Sequence, residues 1–278
     1  MSNIEKRKMI NVFAFTICGI MAFVAIIPLI SVLIQVTANG FRVINLDFFT
    51  KLPPSPGAEG GGMGNAVLGT VYMVGLASLF SIPIGIMSGI HLAEYGKSRL
   101  SYLIRLFTDV LSGVPSIVVG IFVYIVLVRT LGTFSALAGG VALGIIMLPL
   151  IVRTTEEMVM MVPDSLREAS LALGANSGQT ILKVVIPHAY KGIITGIMLS
   201  ISRAAGETAP LLFTAMSSRY WPGGIMDNTA SLPVYIYTYA ISPYSNWKEM
   251  AWGAAFILIM MVLITSIMTR FFTGRRQK

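Results

Sequence analysis

The sequence has little of what soluble enzymes use for chemistry. It contains one cysteine, Cys18, and two histidines, His91 and His188. One cysteine excludes a disulfide within the chain and any cysteine cluster around a metal. The histidines lie far apart, at no spacing that suits a metal, so no metal and no other cofactor is expected. Charge is scarce too: 12% of the 278 residues are charged and 55% are hydrophobic. The mean hydropathy of +0.79 fits a chain of membrane spans, each needing about 20 apolar residues to cross the hydrocarbon. Cys18 falls inside such a run and reads as a buried apolar thiol.

Nucleotide-binding signatures are also missing. "YGKS" at 95–98 has the end of a phosphate-binding loop, but the first glycine of that pattern would fall at position 91, which is His91. The glycines at 60–62 and 64 follow no strand and lack a third partner. The chain is therefore not expected to bind ATP itself. Glu156 and Glu157 are adjacent, so they do not share a helix face, and they read as solvated acids rather than a catalytic pair. No serine–histidine–aspartate arrangement stands out, and no enzyme activity is expected.

Six spans are predicted, at about 9–36, 66–93, 106–128, 134–153, 189–216 and 251–272. Lys6, Arg7 and Lys8 before the first run imitate a signal peptide, and Val36-Thr37-Ala38 imitates a cleavage site. The run from Met9 to Val36 is longer than the about 7–15 residues of a signal core, so it reads as a retained span kinked near Pro28. With both termini in the cytoplasm, fourteen of the 20 basic residues lie inside and five outside, with Arg203 within a span. That asymmetry accounts for the formal charge of +8, and nucleic acid is not needed to explain it. Outside, "KLPPSPGAEGGGMGN" (51–65) reads as a flexible connector. The aromatics of "SLPVYIYTYAISPYSNW" (231–247) read as a belt at the lipid headgroups.

The inner segment 154–188 is more specific. Pro163, Asp164 and Ser165 can start a helix, with Glu168 completing a capping box from Ser165. Leu166, Ala169 and Leu173 form one apolar stripe before a stop at Gly174. A second helix fits Ser177 to Val185, before Pro187. A short amphipathic helix of this kind can lie on lipid or dock in a groove of a soluble partner.

Glu168, Ala169, Ser170, Gly174, Val184, Ile186 and Pro187 fall at every spacing of E-A-A, three residues, G, nine residues, I-x-L-P. The segment resembles the EAA loop of the permeases of type I ABC importers. "GGMGNAVLGT" (61–70), "SGVPSIVVGIF" (112–122), "RAAGETAPLL" (203–212) and "LPVYIYTYA" (232–240) are similar to the phosphate-permease branch of that family. The likeness runs from about residue 60 onward; residues 1–59 carry little of it.

The resemblance implies an all-α membrane protein of six transmembrane helices, one permease domain over 1–278 with its core at about 60–278. It implies a cytoplasmic coupling helix in which Glu168, Ala169, Ser170 and Gly174 meet an ATP-binding subunit. It also implies a multi-pass protein of a prokaryotic inner membrane that forms half of a path for inorganic phosphate. The expected partners are a second permease subunit, two ATP-binding subunits, an external phosphate-binding protein and membrane lipid.

Arg203 and Glu207 lie four residues apart within predicted span 189–216. On a continuous helix they share a face, with Ser200 and Ala204 nearby, and Arg203 stands near mid-membrane. A charge there costs about 2.5–3.5 kcal/mol on insertion scales, so the pair reads either as a structural ion pair or as part of a substrate path. A guanidinium suits an oxyanion because its planar fork donates two parallel hydrogen bonds. The resemblance places both residues on the phosphate path. Glu207 would either pair with Arg203 at rest or accept a proton from the phosphate. Ser116, after Pro115, marks a kinked or opened start to the third span, and Gly113 and Gly120 read as close-packing positions. Two other functions stay open on the residues alone: a permease for sulfate or molybdate, and an ion-coupled transporter using Arg203 and Glu207 as a proton relay.

Overall fold

The computed structural model describes residues 3–58 and 60–274, and these are helical with connecting loops. Arg275, Arg276 and Lys278, part of the inner basic set, lie outside the described residues. Helix α1 (Asn3–Val43) runs through Pro28 as one element. Residues 6–35 are exposed throughout, so Cys18 faces outward and is not buried as expected. The reason is simple: α1 meets the rest of the chain near its C-terminal end. There Gly40 lets it approach Trp252 and Phe256, and the Phe41 and Phe256 rings meet edge-on at 6.2 Å.

A short helix α2 (Leu46–Thr50) follows. It is capped by Asn45, whose side chain accepts from the Phe48 N–H at 2.9 Å. The expected flexible connector is pinned at Leu52, Pro54, Ala58 and Gly62. The Gly62 N–H donates to Leu52 O at 3.0 Å, Arg219 donates to Pro54 O at 2.5 Å, and Asn246 donates to Ala58 O at 2.6 Å. Gly61 has a φ of +87°, and a Cβ there would meet the Pro54 ring, so two constraints call for glycine.

Helices α3 (Gly64–Glu94) and α6 (Ala136–Met160) form the central pair. Small residues bring them close. Gly85 and Gly89 of α3 receive Ile151 and Thr155, while Gly139, Gly140 and Gly144 of α6 receive Met73, Leu76 and Phe80. In lipid, where hydrophobicity does not drive helices together, such close packing is the main source of association. The core around this pair holds Met73, Leu143, Met147, Ile151 and Leu211, each at most 2% exposed.

The predicted single span 106–128 is instead a bent pair. Helix α4 (Arg99–Gly113) and helix α5 (Ser116–Leu131) meet at 108° across Val114 and Pro115. Pro115 disfavours helical geometry at Val114, and its ring carries no N–H to continue the ladder. Gly113 ends α4 with nothing within 4 Å of a would-be Cβ, so it is not a packing position; Gly120 is one, because a Cβ there would stand 2.6 Å from Pro210 Cα.

Beyond α6 come the short helix α7 (Asp164–Ala172) and the long helix α8 (Ser177–Ala205). Helices α9 (Ala209–Thr214), α10 (Leu232–Ala240) and α11 (Ser245–Gly274) complete the described residues. Among the described residues, five helices are long and apolar enough to cross a membrane, and the α4–α5 pair makes a sixth crossing if it is one broken span. The protein is an all-α, multi-pass membrane protein. Predicted span 189–216 is corrected at both ends. Its helix starts at Ser177 and stops at Ala205. Pro187 does not break it, because a π turn over Ile181–Val185 precedes the proline; there the Ile186 N–H reaches Ile181 O, five residues back.

The tyrosines of 231–247 divide: Tyr237 and Tyr244 face outward as a belt would, whereas Tyr235 and Tyr239 turn inward. Tyr235 and Tyr239 are 2% and 5% exposed, and the Tyr235, Tyr239 and Trp247 rings stack in series at 5.1 and 4.2 Å. Tyr235 OH donates to Ser218 O at 2.6 Å, and the Asn65 amide donates to the same carbonyl at 2.8 Å. Burial pushes the hydroxyls of Tyr235 and Tyr239 up from the ordinary 10.0, so both stay protonated.

Candidate anion cavity and coupling helix

Arg203 stands in the last turn of α8, and Glu207 lies beyond its end. Gly206 closes the helix, and the Glu207 N–H donates to Ala204 O at 3.2 Å. The expected continuous helix is therefore absent between the two residues. They are still near each other, with Arg203 Nε 3.7 Å from Glu207 Oε1. This is an ion pair too long for a hydrogen bond. Arg203 is 60% exposed and Glu207 18%. Ser200 and Ala204 turn away from that side: both are buried, and Ser200 Oγ donates to Met147 O of α6 at 3.2 Å. Pro210 sits in the first turn of α9, where its missing N–H costs nothing.

Arg203 lines a cavity of about 140 Å³ at the α4–α5 bend. Ser112, Val114, Ser116, Pro149 and Arg153 share its wall. The bend puts the N-terminus of α5 beside two guanidinium groups. The first intrahelical bonds of α5 are donated by Val118 and Val119 to Pro115 O, which leaves the N–H groups of Ser116 and Ile117 at the head of the helix. Such a terminus favours an anion. Ser112 donates its own hydroxyl to Thr108 O at 2.7 Å, so in this state it offers no proton to the cavity. No carboxylate is among the lining residues. The combination of two arginines, a hydroxyl and a helix N-terminus is chemistry for an oxyanion.

Arg153 is one of the fourteen basic residues that the charge asymmetry places on the inner side. The predicted span 134–153 ends at this residue, whereas α6 runs seven residues further to Met160, and the packing of α4 on α6 shows where Arg153 points. It is paired with Asp109 of α4. A second pair runs the other way. Arg105 of α4 reaches Glu156 of α6, which is 3% exposed and so is not the solvated acid expected.

At the end of α6 nearest these pairs, α7 is fastened to α3. Arg167 is paired with Glu94 and donates to Val159 O at 2.9 Å. The cap of α7 is Pro163 with no side-chain bond, so the capping box expected from Ser165 and Glu168 is absent. A capping box does form one turn later, between Asn176 and Gln179 at the head of α8. Gly174, with a φ of +87°, ends α7 as expected. Of the predicted apolar stripe, Leu166 packs inward, whereas Ala169 is exposed and Leu173 is 89% exposed. Glu168 is exposed, and Ser170 Oγ lies 3.0 Å from Thr180 Oγ1 across the α7–α8 turn.

Residues 81–278 match the family described as "Binding-protein-dependent transport system inner membrane component". The chain is 39% identical to the phosphate transport system permease protein PstA of Haemophilus influenzae, over 96% of this chain and 94% of that one. It is 44% identical to PstA of Xylella fastidiosa (96% and 93%) and 40% identical to PstA 1 of Mycobacterium tuberculosis (98% and 91%). Among solved structures, an inward-facing MetNI methionine ABC transporter superposes with a TM-score of 0.63 at 21% identity, covering 77% of this chain and 95% of that one. A bacterial ABC transporter that imports the acidic polysaccharide alginate gives 0.65 at 13% identity, covering 98% of both. Those two likenesses show the fold. With relatives of this identity along nearly its whole length, the chain belongs to the PstA family of permeases, within the binding-protein-dependent inner membrane components.

Proposed function

We propose that the chain is the transmembrane permease subunit of an ATP-driven phosphate importer and forms half of its translocation path. It works as one part of an ABC transporter. The observation that carries the substrate reading is the cavity at the α4–α5 bend, where Arg203 and Arg153 flank the head of α5. Phosphate fits that chemistry, and the relatives named as phosphate permeases support it. Arg203 contacts the passing anion, and Glu207 pairs with it at rest. The 3.7 Å separation suits a pair that loosens without breaking a hydrogen bond.

The partners follow from the same reading: a second permease of similar fold, two ATP-binding subunits and an external phosphate-binding protein. The exposed face of α7, from Glu168 through Ala169 and Ser170 to Leu173 and Gly174, docks in a groove of an ATP-binding subunit. Both termini and α7 then lie in the cytoplasm.

The test is uptake of labelled phosphate by the reconstituted transporter carrying Arg203→Gln. Uptake is expected to fall at least a hundredfold while the subunits still co-purify. Retained uptake sinks the role in the path, and failure to co-purify makes the pair structural. Glu207→Gln is expected to keep the preference for phosphate over sulfate, because Glu207 acts as a counter-ion and not as a proton acceptor.

A further inference from the structure

The cavity holds two arginines, and each already has a carboxylate just outside its wall. Arg203 has Glu207, and Arg153 has Asp109. The charges of the site's own residues are thus balanced. The two carboxylates are not equivalent. Glu207 is 18% exposed and stays beside Arg203 at the α8–α9 break. Asp109 is 55% exposed, so water can take over its charge if Arg153 turns away.

The neighbouring pair shows what does not move. Arg105 and Glu156 tie α4 to α6 one turn from Asp109 and Arg153, and Glu156 is only 5% exposed at its side chain. That pair holds the helices together, which leaves the Asp109–Arg153 pair free to open without parting α4 from α6. The two arginines also differ in level. Ser200 of α8 bonds Met147 of α6, and Gly196 lies against Thr154. Arg153 is therefore level with about residue 196 of α8, roughly 10 Å along the axis from Arg203. It lies on the side of α7.

We propose that Asp109 is the counter-ion that Arg153 leaves when an oxyanion fills the cavity and rejoins when the anion departs, so that Asp109 sets how readily the anion is released. Two bare arginines at a helix N-terminus would hold a phosphate dianion too firmly for transport. A path must bind well enough to admit its ion and weakly enough to release it. A carboxylate that competes for one of the two guanidinium groups lowers the affinity at the end from which the anion leaves. The inference rests on the cavity being the phosphate site.

The experiment uses the complete transporter in nanodiscs, with labelled inorganic phosphate as the probe. In Asp109→Asn, equilibrium binding measured without the external binding protein should tighten about two- to fivefold, the range expected for a half-exposed ion pair. The maximal rate of ATP-driven uptake should fall by a similar factor. Asp109→Glu should restore both. Unchanged or weaker binding in Asp109→Asn overturns the proposal. So does a loss of thermal stability that tracks the loss of rate and that Asp109→Glu does not rescue. The cavity reading fails separately: Arg153→Gln and Arg203→Gln that bind phosphate undiminished would remove the site itself.

Discussion

Arg105 of α4 donates two hydrogen bonds to a single oxygen of Glu156 on α6, at 3.2 Å from Nε and 2.6 Å from Nη2. The acid is buried, so Arg105 is the partner that its carboxylate oxygen relies on. Arg105→Ala is expected to cost about 3 kcal/mol, the low end for a buried pair, because Arg105 itself is 44% exposed. The loss should appear as a lower melting temperature of the purified transporter. Adding Glu156→Gln should recover part of it, and two losses that simply add would show that the residues do not act as a pair.

Gly120 of α5 faces the backbone of Pro210 in α9. Backbone cannot yield as a side-chain tip can, so Gly120→Leu must push the two helices apart. The expected cost is about 1–3 kcal/mol. Phosphate uptake should fall as well, since Ser116 and Val119 of α5 line the same cavity as Arg203. Wild-type stability and uptake in this variant would show that the contact is not needed.

Leu173 stands 89% exposed at the end of α7. If an ATP-binding subunit covers it, Leu173→Glu should weaken that association about tenfold or more, since burying a leucine is worth about 1.5–3 kcal/mol. The melting temperature of the isolated permease should not change. Pull-down of the ATP-binding subunit with the variant checks this, and undiminished capture would place the docking surface elsewhere.

Burial raises the Tyr235 and Tyr239 hydroxyls above 10.0. In the unfolded chain they ionise first, so their contribution to stability is full below pH 10.0 and is lost as pH rises through the folded value. Melting temperatures of the wild type should drop above that pH. The drop should shrink in Tyr235→Phe, which also leaves Ser218 O with the Asn65 amide as its remaining partner and should cost about 1–2 kcal/mol at neutral pH. An equal alkaline drop in both proteins would assign it to other groups.

Much of this protein is legible without coordinates. Membrane insertion follows from hydropathy, because no soluble surface could be built from so few charges. The Pro163-Asp164 start, the Gly174 stop and the spacing around Glu168 mark α7, because a short helix is specified by nearby residues. Arg203 and Glu207 stand out because charge is costly within an apolar run.

What the sequence could not decide depends on contacts between distant residues. Pro115 announced a break, but the 108° turn there comes from packing on α6 and α9. Glu156 looked solvated until α4 supplied Arg105, and Tyr235 and Tyr239 of α10 looked interfacial until Asn65 and Trp247 enclosed them. Local sequence determined most of the spans, the short helix α7 and the charged pair, since periodicity and helix punctuation act within a few residues. Tertiary structure alone decided that Arg153 joins Arg203 at one cavity, because residues fifty positions apart are brought together only by the packing of α6 against α8.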